Sequence, residues 1–454
     1  MTRTALSQYV DLFEHNSKEI DSHSAPVLNR LRTKALSALN GATLPTRRTE
    51  GYEKTSLEDM FAPDYGVNIT RVNIPVDVAA SFKCDVPNLS TLTGVTVNDK
   101  FVPSAGLESR LPKGVTFMSL AKAAETMPEL VEKYYGTIAP LTDIPVALNT
   151  LLAQDGVFIH VTKGVNPDKA LQLVEIFSAP MSLAAFRRIL IVTEEDANLK
   201  LLICDHTQDS DNDYLSSQVI EVAAGHNSHI EICSIEESSA KTSRLCQLYV
   251  SQSEGSEVLV NTTTLTCGTT RNEISADLAG EHASLRLTGM AIGGDAMHID
   301  NNTAVSHTAP RCHSDQLYKY VLDDVSEGAF EGSILVKPSA QFTEAYQSNR
   351  NMLAATTAKM HCKPQLIIYN DDVKCSHGAT TGQLDADALF YMRQRGIPDL
   401  EARTLLMQAF MVDVIDSVSI AGLNERLRHL VERRFSGTLG DCGGCKGGQA
   451  DGCK

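Results

Sequence analysis

The sequence contains no tryptophan, and no apolar run in it approaches the ~20 residues that cross a bilayer. Its first residues, Met1 to Glu14, carry Asp11 and Glu14 where a signal peptide would place an apolar core. The expectation is therefore a protein that stays in the cytoplasm, with no membrane contact. Basic residues are also in deficit: 40 Lys and Arg stand against 56 Asp and Glu, a net charge of −16. Phosphates would meet a like-signed surface, which argues against nucleic acid as a partner. Several motifs are missing outright. There is no G-x-x-x-x-G-K-[ST] loop, no G-x-S-x-G elbow, no H-E-x-x-H helix and no convincing G-x-G-x-x-G after a strand. If ATP is used, another chain binds it. The 11 cysteines are odd in number and scattered from Cys84 to Cys453, without the dense spacing of a secreted disulfide framework. They are expected as reduced thiols, each with the plain alternative of a small buried apolar residue.

What is present suggests a long, ordered chain. At 454 residues it exceeds what one core usually organises, so several domains or an elongated repeat is expected. Apolar residues at 43% and charged residues at 21% are ordinary for globular proteins. Near the N-terminus Leu6, Tyr9, Val10 and Phe13 share a helical face, and Leu28, Leu31, Ala35 and Leu39 form a second stripe. Thr46 to Pro145 mixes short alternating runs such as Val95 to Val97 with a helical piece, Ser119 to Tyr135, interrupted at Pro128. From about Gly156 the texture becomes all-β. Apolar-x-apolar strands begin at Leu199, Ile230, Val258 and Leu285, each after a small or polar turn: EEDAN, AAGHNSH, SEGSE and AGEHA. A recurrence near about thirty residues lies in the range of solenoids, whose coils stack only on their neighbours. The rival is an antiparallel sandwich, which would want Asn-Gly or Asp-Gly hairpin turns, and those are sparse.

After Gly382 the pattern returns to helix. Ala402, Leu406, Phe410, Val414 and Val418 follow at steps of four, with Leu405, Ala409 and Val412 widening the stripe. So broad an apolar surface needs cover, either from the body of the chain or from a partner protein, and Ala402, Leu406, Phe410 and Val414 are the candidate partner-binding residues. A further helix, Leu423 to Phe435, sets Leu423, Leu427 and Leu430 opposite Arg426, Arg428, Arg433 and Arg434. The tail, GDCGGCKGGQADGCK, is Gly-rich and aperiodic. The expected division is an N-terminal helical and α+β domain over 1–145, a β-helix core over 146–384, a C-terminal helical domain over 385–436 and a Cys/Gly-rich tail over 437–454.

Three groups of residues bear on chemistry. In Asp371-Asp372-Val373-Lys374-Cys375-Ser376-His377-Gly378, a strand continuing from Leu366 to Tyr369 would put Val373, Cys375 and His377 on one face. Cys375 and His377 would then offer a thiolate and an imidazole to iron, with Lys374 lowering the thiol pKa if it swings close. His298, His307, Cys312 and His313 cluster in sequence and would suit a transition metal, or equally polar turn positions in a solenoid. Cys442 and Cys445, with Cys453 beyond them, form a C-x-x-C that would share a soft metal but lacks a fourth ligand.

The run KPQLIIYNDDVKCSHGATTGQLD, Lys363 to Asp385, followed by ALFYMRQRGIPDLEARTLLMQAF, resembles the C-terminal signature of the SufB/SufD family, its SufD branch above all. ALNTLLAQDGVFIHVTKGV, Ala147 to Val165, is similar to the start of that family's β-helical core, and PTRRTEGYEKTSL to its N-terminal element, with Tyr52 where the family usually has Trp. The resemblance implies a mainly β fold, a right-handed parallel β-helix flanked by N-terminal α/α+β and C-terminal α-helical domains. It implies a non-catalytic scaffold subunit for iron–sulfur cluster assembly and iron acquisition, paired with a SufB-like paralogue and docked through its C-terminal helices to a SufC-like ATPase. His377, with Cys375 beside it, would lie at the subunit interface near a transient iron or Fe–S cluster shared with the partner, while the tail falls outside the pattern. Two alternatives remain: a β-helix enzyme acting on polysaccharide, disfavoured by the missing Trp and signal sequence, and a self-associating scaffold without a metal role, which would form a homodimer in isolation.

Overall fold

Leu199, Ile230, Val258 and Leu285, the residues that mark the recurrence, stand side by side in register on neighbouring parallel strands. All four are buried, as are Leu201, Ile232, Val260 and Leu287 two residues on, so alternation along each strand becomes two apolar ladders across the sheet. Each such side chain contributes roughly 1.5–3 kcal/mol on burial, so the stack is held by many small, repeated terms. The computed structural model describes residues 4–76, 90–103, 106–208 and 211–437. Within them the chain is mainly β: a parallel solenoid built of two ten-stranded sheets, with helices at its N- and C-terminal flanks. The strands Asn198–Thr207, His229–Glu237, Glu257–Thr266 and Ser284–Gly293 belong to the second sheet. Between each pair the chain crosses to the first sheet, through Tyr214–Ala224, Thr242–Gln252 and Thr269–Leu278. Each coil thus holds two strands where the sequence pattern marks one.

The corners explain the turn residues. Asp196, Asn227, Gly255, His282, Arg311 and Phe342 all have positive φ, each just before a second-sheet strand. Their N–H groups donate to the corner of the next coil: Asp196 to His226 O at 2.9 Å, Asn227 to Glu254 O at 3.0 Å, Gly255 to Glu281 O at 2.9 Å. The left-handed conformation turns the chain while leaving its donor free for the neighbouring coil, and Asn, Asp and Gly adopt it at least cost.

The N-terminal end of the solenoid is closed by antiparallel pairing. Lys100–Val102 folds back on Leu92–Val97, and Val115–Ser119 runs against Val157–Val161. Leu6, Tyr9 and Phe13 of the helix Ala5–Ser22 and Leu39 of Pro26–Leu39 pack with Leu148 and Leu151 of Ile144–Leu152 over Ala184, Phe186 and Leu215 of the first sheet. Arg32 closes this layer by donating to the carbonyl of Ala153 at 2.8 Å, at the C-terminal turn of Ile144–Leu152.

At the other flank Asp385 caps the helix Ala386–Gln394, its Oδ1 accepting from Asp387 N at 2.9 Å and Ala388 N at 3.1 Å. The helices Asp399–Ile415 and Leu423–Phe435 then lie on the outer face of the second sheet, with Met407, Met411, Val414, Leu427 and Leu430 against Leu202, Cys233, Ile235, Met290 and Val321. Lys319 Nζ donates to Asp413 Oδ2 at 2.6 Å and to Phe410 O at 2.8 Å, tying sheet to helix. The first of these helices ends at Ile415, so Val418, which continues the step of four in sequence, sits buried in the following turn. No helix among the described residues is long and apolar enough to cross a membrane.

Candidate functional site at the open end of the solenoid

The last coil consists of Lys359–Ile368 in the first sheet and Val373–Gln383 in the second. Leu366 to Tyr369 therefore does not run on into Val373 to His377: a turn at Asn370 to Asp372 carries the chain from one sheet to the other. Among the described residues no strand pairs beyond these two, so each leaves one edge free. Cys375 and His377 lie on this terminal strand, in register with Ala345 and Gln347 of Thr343–Leu353, and share its inward face.

The two side chains have different surroundings. Cys375 packs half-buried against Ile334, Val336, Ala340 and Ala345, and burial pushes its thiol above the ordinary range, partly opposed by a hydrogen bond at Ala345. It is a neutral thiol at pH 7, so a soft metal taking it as ligand would release a proton. Lys374 does not activate it. That side chain points outward and is held by Glu344 Oε1 at 2.8 Å, which corrects the expectation of a thiol depressed by Lys374. His377 is exposed.

A second thiol at this end escaped the sequence pattern. Cys362, on the facing strand, is part-buried with Sγ 3.1 Å from Asn349 Oδ1 and 3.2 Å from Asn351 Nδ2. Burial raises its pKa, opposed by contacts from Thr381 and Asn351. It ends an interior file of polar positions that runs in register through Arg187, Gln218, Cys246, Asn272 and Asn301, interrupted by Phe330. The alternation Met360, Cys362, Pro364, Leu366 would have placed it inward had the strand been recognised from its first residue.

The remaining candidates are dispersed. His298 bonds Thr55 Oγ1 at 2.8 Å on the outer face, whereas His307 is inside, 2.8 Å from Ser314 Oγ. Cys312 is buried at a corner, 3.2 Å from Gly280 O, and His313 begins the next strand. The four residues thus share no common site, and among the described residues no three His, Cys, Asp or Glu side chains gather as a metal site. Cys442 and Cys445 lie outside the described residues. In the helical stripe, Ala402 and Val414 are buried, Val414 against the chain's own sheet, and Phe410 stacks its ring under Lys319 at 4.9 Å, while Leu406 is half-buried. A partner would reach Ala402 or Val414 only by displacing the helix. The exposed apolar side chains here are instead Phe390, Tyr391, Leu400 and Leu405.

Fold and site together define a β-solenoid that carries a thiol and an imidazole on a terminal coil with free outer edges, without a self-contained metal centre among its described residues. Residues 176–410 match the model of the SUF system FeS cluster assembly SufBD core domain, and residues 3–173 match that of the SufBD protein N-terminal region. The chain belongs to the SufB/SufD family of iron–sulfur cluster assembly proteins. It is 27% identical to an iron–sulfur cluster assembly SufBD family protein of Synechocystis over 90% of this chain and 91% of that one. It is 24% identical to the iron–sulfur cluster assembly protein SufD of Escherichia coli, over 95% and 97%, and 25% identical to SufD of Bacillus subtilis, over 71% and 74%.

Proposed function

We propose that the chain is a SufD-like scaffold subunit, non-catalytic and cytoplasmic, that pairs with a SufB-like paralogue through its open end and docks a SufC-like ATPase on its C-terminal helices. The nascent iron–sulfur cluster is cargo, held transiently between the subunits, with His377 and Cys375 supplying imidazole and thiol from this side. One observation carries the reading: the coil that bears both side chains is the one on which the parallel stack ends, with a free edge in each sheet among the described residues. A protein that must share a metal across a seam needs an incomplete ligand set there, and soft sulfur with imidazole suits iron. Phe390, Tyr391, Leu400 and Leu405 are the surface offered to the ATPase, in place of the covered face through Ala402 and Val414.

The test is reconstitution with SufB-type and SufC-type chains, ferrous iron and sulfide, following Fe–S absorption. His377→Ala is expected to slow cluster build-up about tenfold or more, the scale of losing a metal ligand's contribution, and Cys375→Ser to slow it less. Cluster formation unchanged by His377→Ala, in a complex still assembled, removes the site from the reading.

A further inference from the structure

In the coil beneath His377 the amide of Gln347 is only 3% exposed, and its Oε1 has no hydrogen-bond partner. A buried carbonyl oxygen without a donor has lost its water without replacing it, so its surroundings call for an explanation. The other end of the amide is hydrogen-bonded: Nε2 donates to Gln316 Oε1 at 3.3 Å, and that oxygen also accepts from Thr303 Oγ1 at 2.8 Å. The amide lies over Gly332, where a Cβ would come within 2.1 Å of Nε2, so only glycine leaves it room. Two residues of the last coil stand over this point by register: Pro364 next to Gly332, and His377 next to Gln347. Proline has neither a side-chain donor nor a backbone N–H. The imidazole of His377 is the one side chain of the pair that can donate.

We propose that Gln347 is the positioning residue for His377: its Oε1 accepts the imidazole N–H, fixes one tautomer of the ring and turns the other nitrogen, unprotonated, out of the open end toward the metal. A ligating histidine is ordinarily held in this way by an acceptor behind it, which sets both tautomer and angle. The glutamine is neutral, so it orients the ring without adding charge to a site that receives cargo and gives it up. The inference rests on His377 being a ligand, and the experiment separates the two claims.

The full-length protein, labelled with ¹⁵N in histidine, reports the tautomer of each ring, with His377→Ala identifying the resonance. The expected result is a single dominant tautomer at His377 in the native chain, a mixture in Gln347→Leu, and a single tautomer regained in Gln347→Glu, which keeps the acceptor. Should Gln347→Leu fail to fold, Gln347→Met, which removes the acceptor from a flexible side chain of similar length, takes its place with the same expected mixture. A tautomer mixture at His377 already present in the native chain, or a single tautomer unaltered by Gln347→Leu, overturns the proposal. In the complex supplied with ferrous iron and sulfide, Gln347→Leu is expected to slow cluster build-up about tenfold and Gln347→Glu to retain most of the rate. If His377→Ala leaves build-up untouched while the tautomer results hold, the ligand reading fails and the positioning contact stands.

Discussion

His307 shows what a single buried side chain does to the protein. Its Nε2 bonds Ser314 Oγ at 2.8 Å and its Nδ1 has no hydrogen-bond partner. Burial, with repulsion from His313 second, pushes its pKa down to about 4. The folded state therefore binds fewer protons here than the unfolded chain, whose histidines titrate near ~6.5, so stability is full above that value and falls as pH drops toward 4. Between the two titration points each pH unit costs about 1.4 kcal/mol, so from pH 7 to pH 5 the loss through this group is about 2 kcal/mol. Urea unfolding at both pH values is expected to show His307→Gln lacking that increment, while His206 and His298, also depressed by burial, contribute equally in both proteins. An identical pH slope in the variant sinks the assignment. Sequence alone set His307 beside His298, Cys312 and His313 as one cluster, because it shows proximity along the chain but not which side of a sheet each residue takes. Cys375 and His377 were legible for the opposite reason: two residues apart on one strand, they share a face whatever the strand pairs with. Gln347, one coil below, has no mark in sequence at all.

At the scale of the strand and its neighbours, the interior is held by charges as well as by apolar ladders. Glu175, Asp205 and Glu236 stack in register on consecutive coils of the second sheet, facing Arg187 and Arg244 from the first. Asp205 Oδ2 lies 3.0 Å from both Arg187 Nη1 and Arg244 Nε. Burial pushes Asp205 up, but the two guanidiniums outweigh it and hold the carboxyl below the usual range. Asp205→Asn keeps the shape and removes the charge, leaving each arginine with a carboxylate 3.8 Å away as its nearest ion-pair partner. Breaking a buried pair in this way is expected to cost roughly 3–5 kcal/mol. That loss is read directly from the denaturant midpoint, and a loss within about 1 kcal/mol would mean that the network is worth no more than a surface pair. None of these pairings was visible in the sequence, since the partners lie on opposite sheets at no fixed spacing along the chain. The strands themselves were visible where small turn residues separate them, as in EEDAN with Asp196 and SEGSE with Gly255. At Arg311 and Phe342 the same left-handed corner is made by residues that give no such signal.

The molecule as a whole is asymmetric along its axis, and the asymmetry follows from how each end treats its sheet edges. At the N-terminal end antiparallel strands stop further parallel stacking. At the C-terminal end the chain leaves through Asp385 and its helices fold back on the outer face of the second sheet, so among the described residues both terminal edges stay open. Repeat arrays need a cap, and an edge without one presents unpaired N–H and C=O groups to any strand that arrives. Ile367, Ile368 and Tyr369 are exposed beside this edge, which adds apolar area to the backbone pairing. In the absence of a SufB-type partner the same edge is expected to pair with a second copy of the chain, giving a dimer by sedimentation at micromolar concentration. Ser376 and Thr380 point outward from the terminal strand and are exposed, so Lys at both positions leaves the interior untouched while setting like charges across a self-paired edge. The double variant is expected to be monomeric, with thermal stability changed by no more than about 0.5 kcal/mol, the scale of surface substitutions. A native chain that sediments as a monomer, or a dimer indifferent to the two lysines, would place the self-association elsewhere and leave the open coil to the heterologous partner alone.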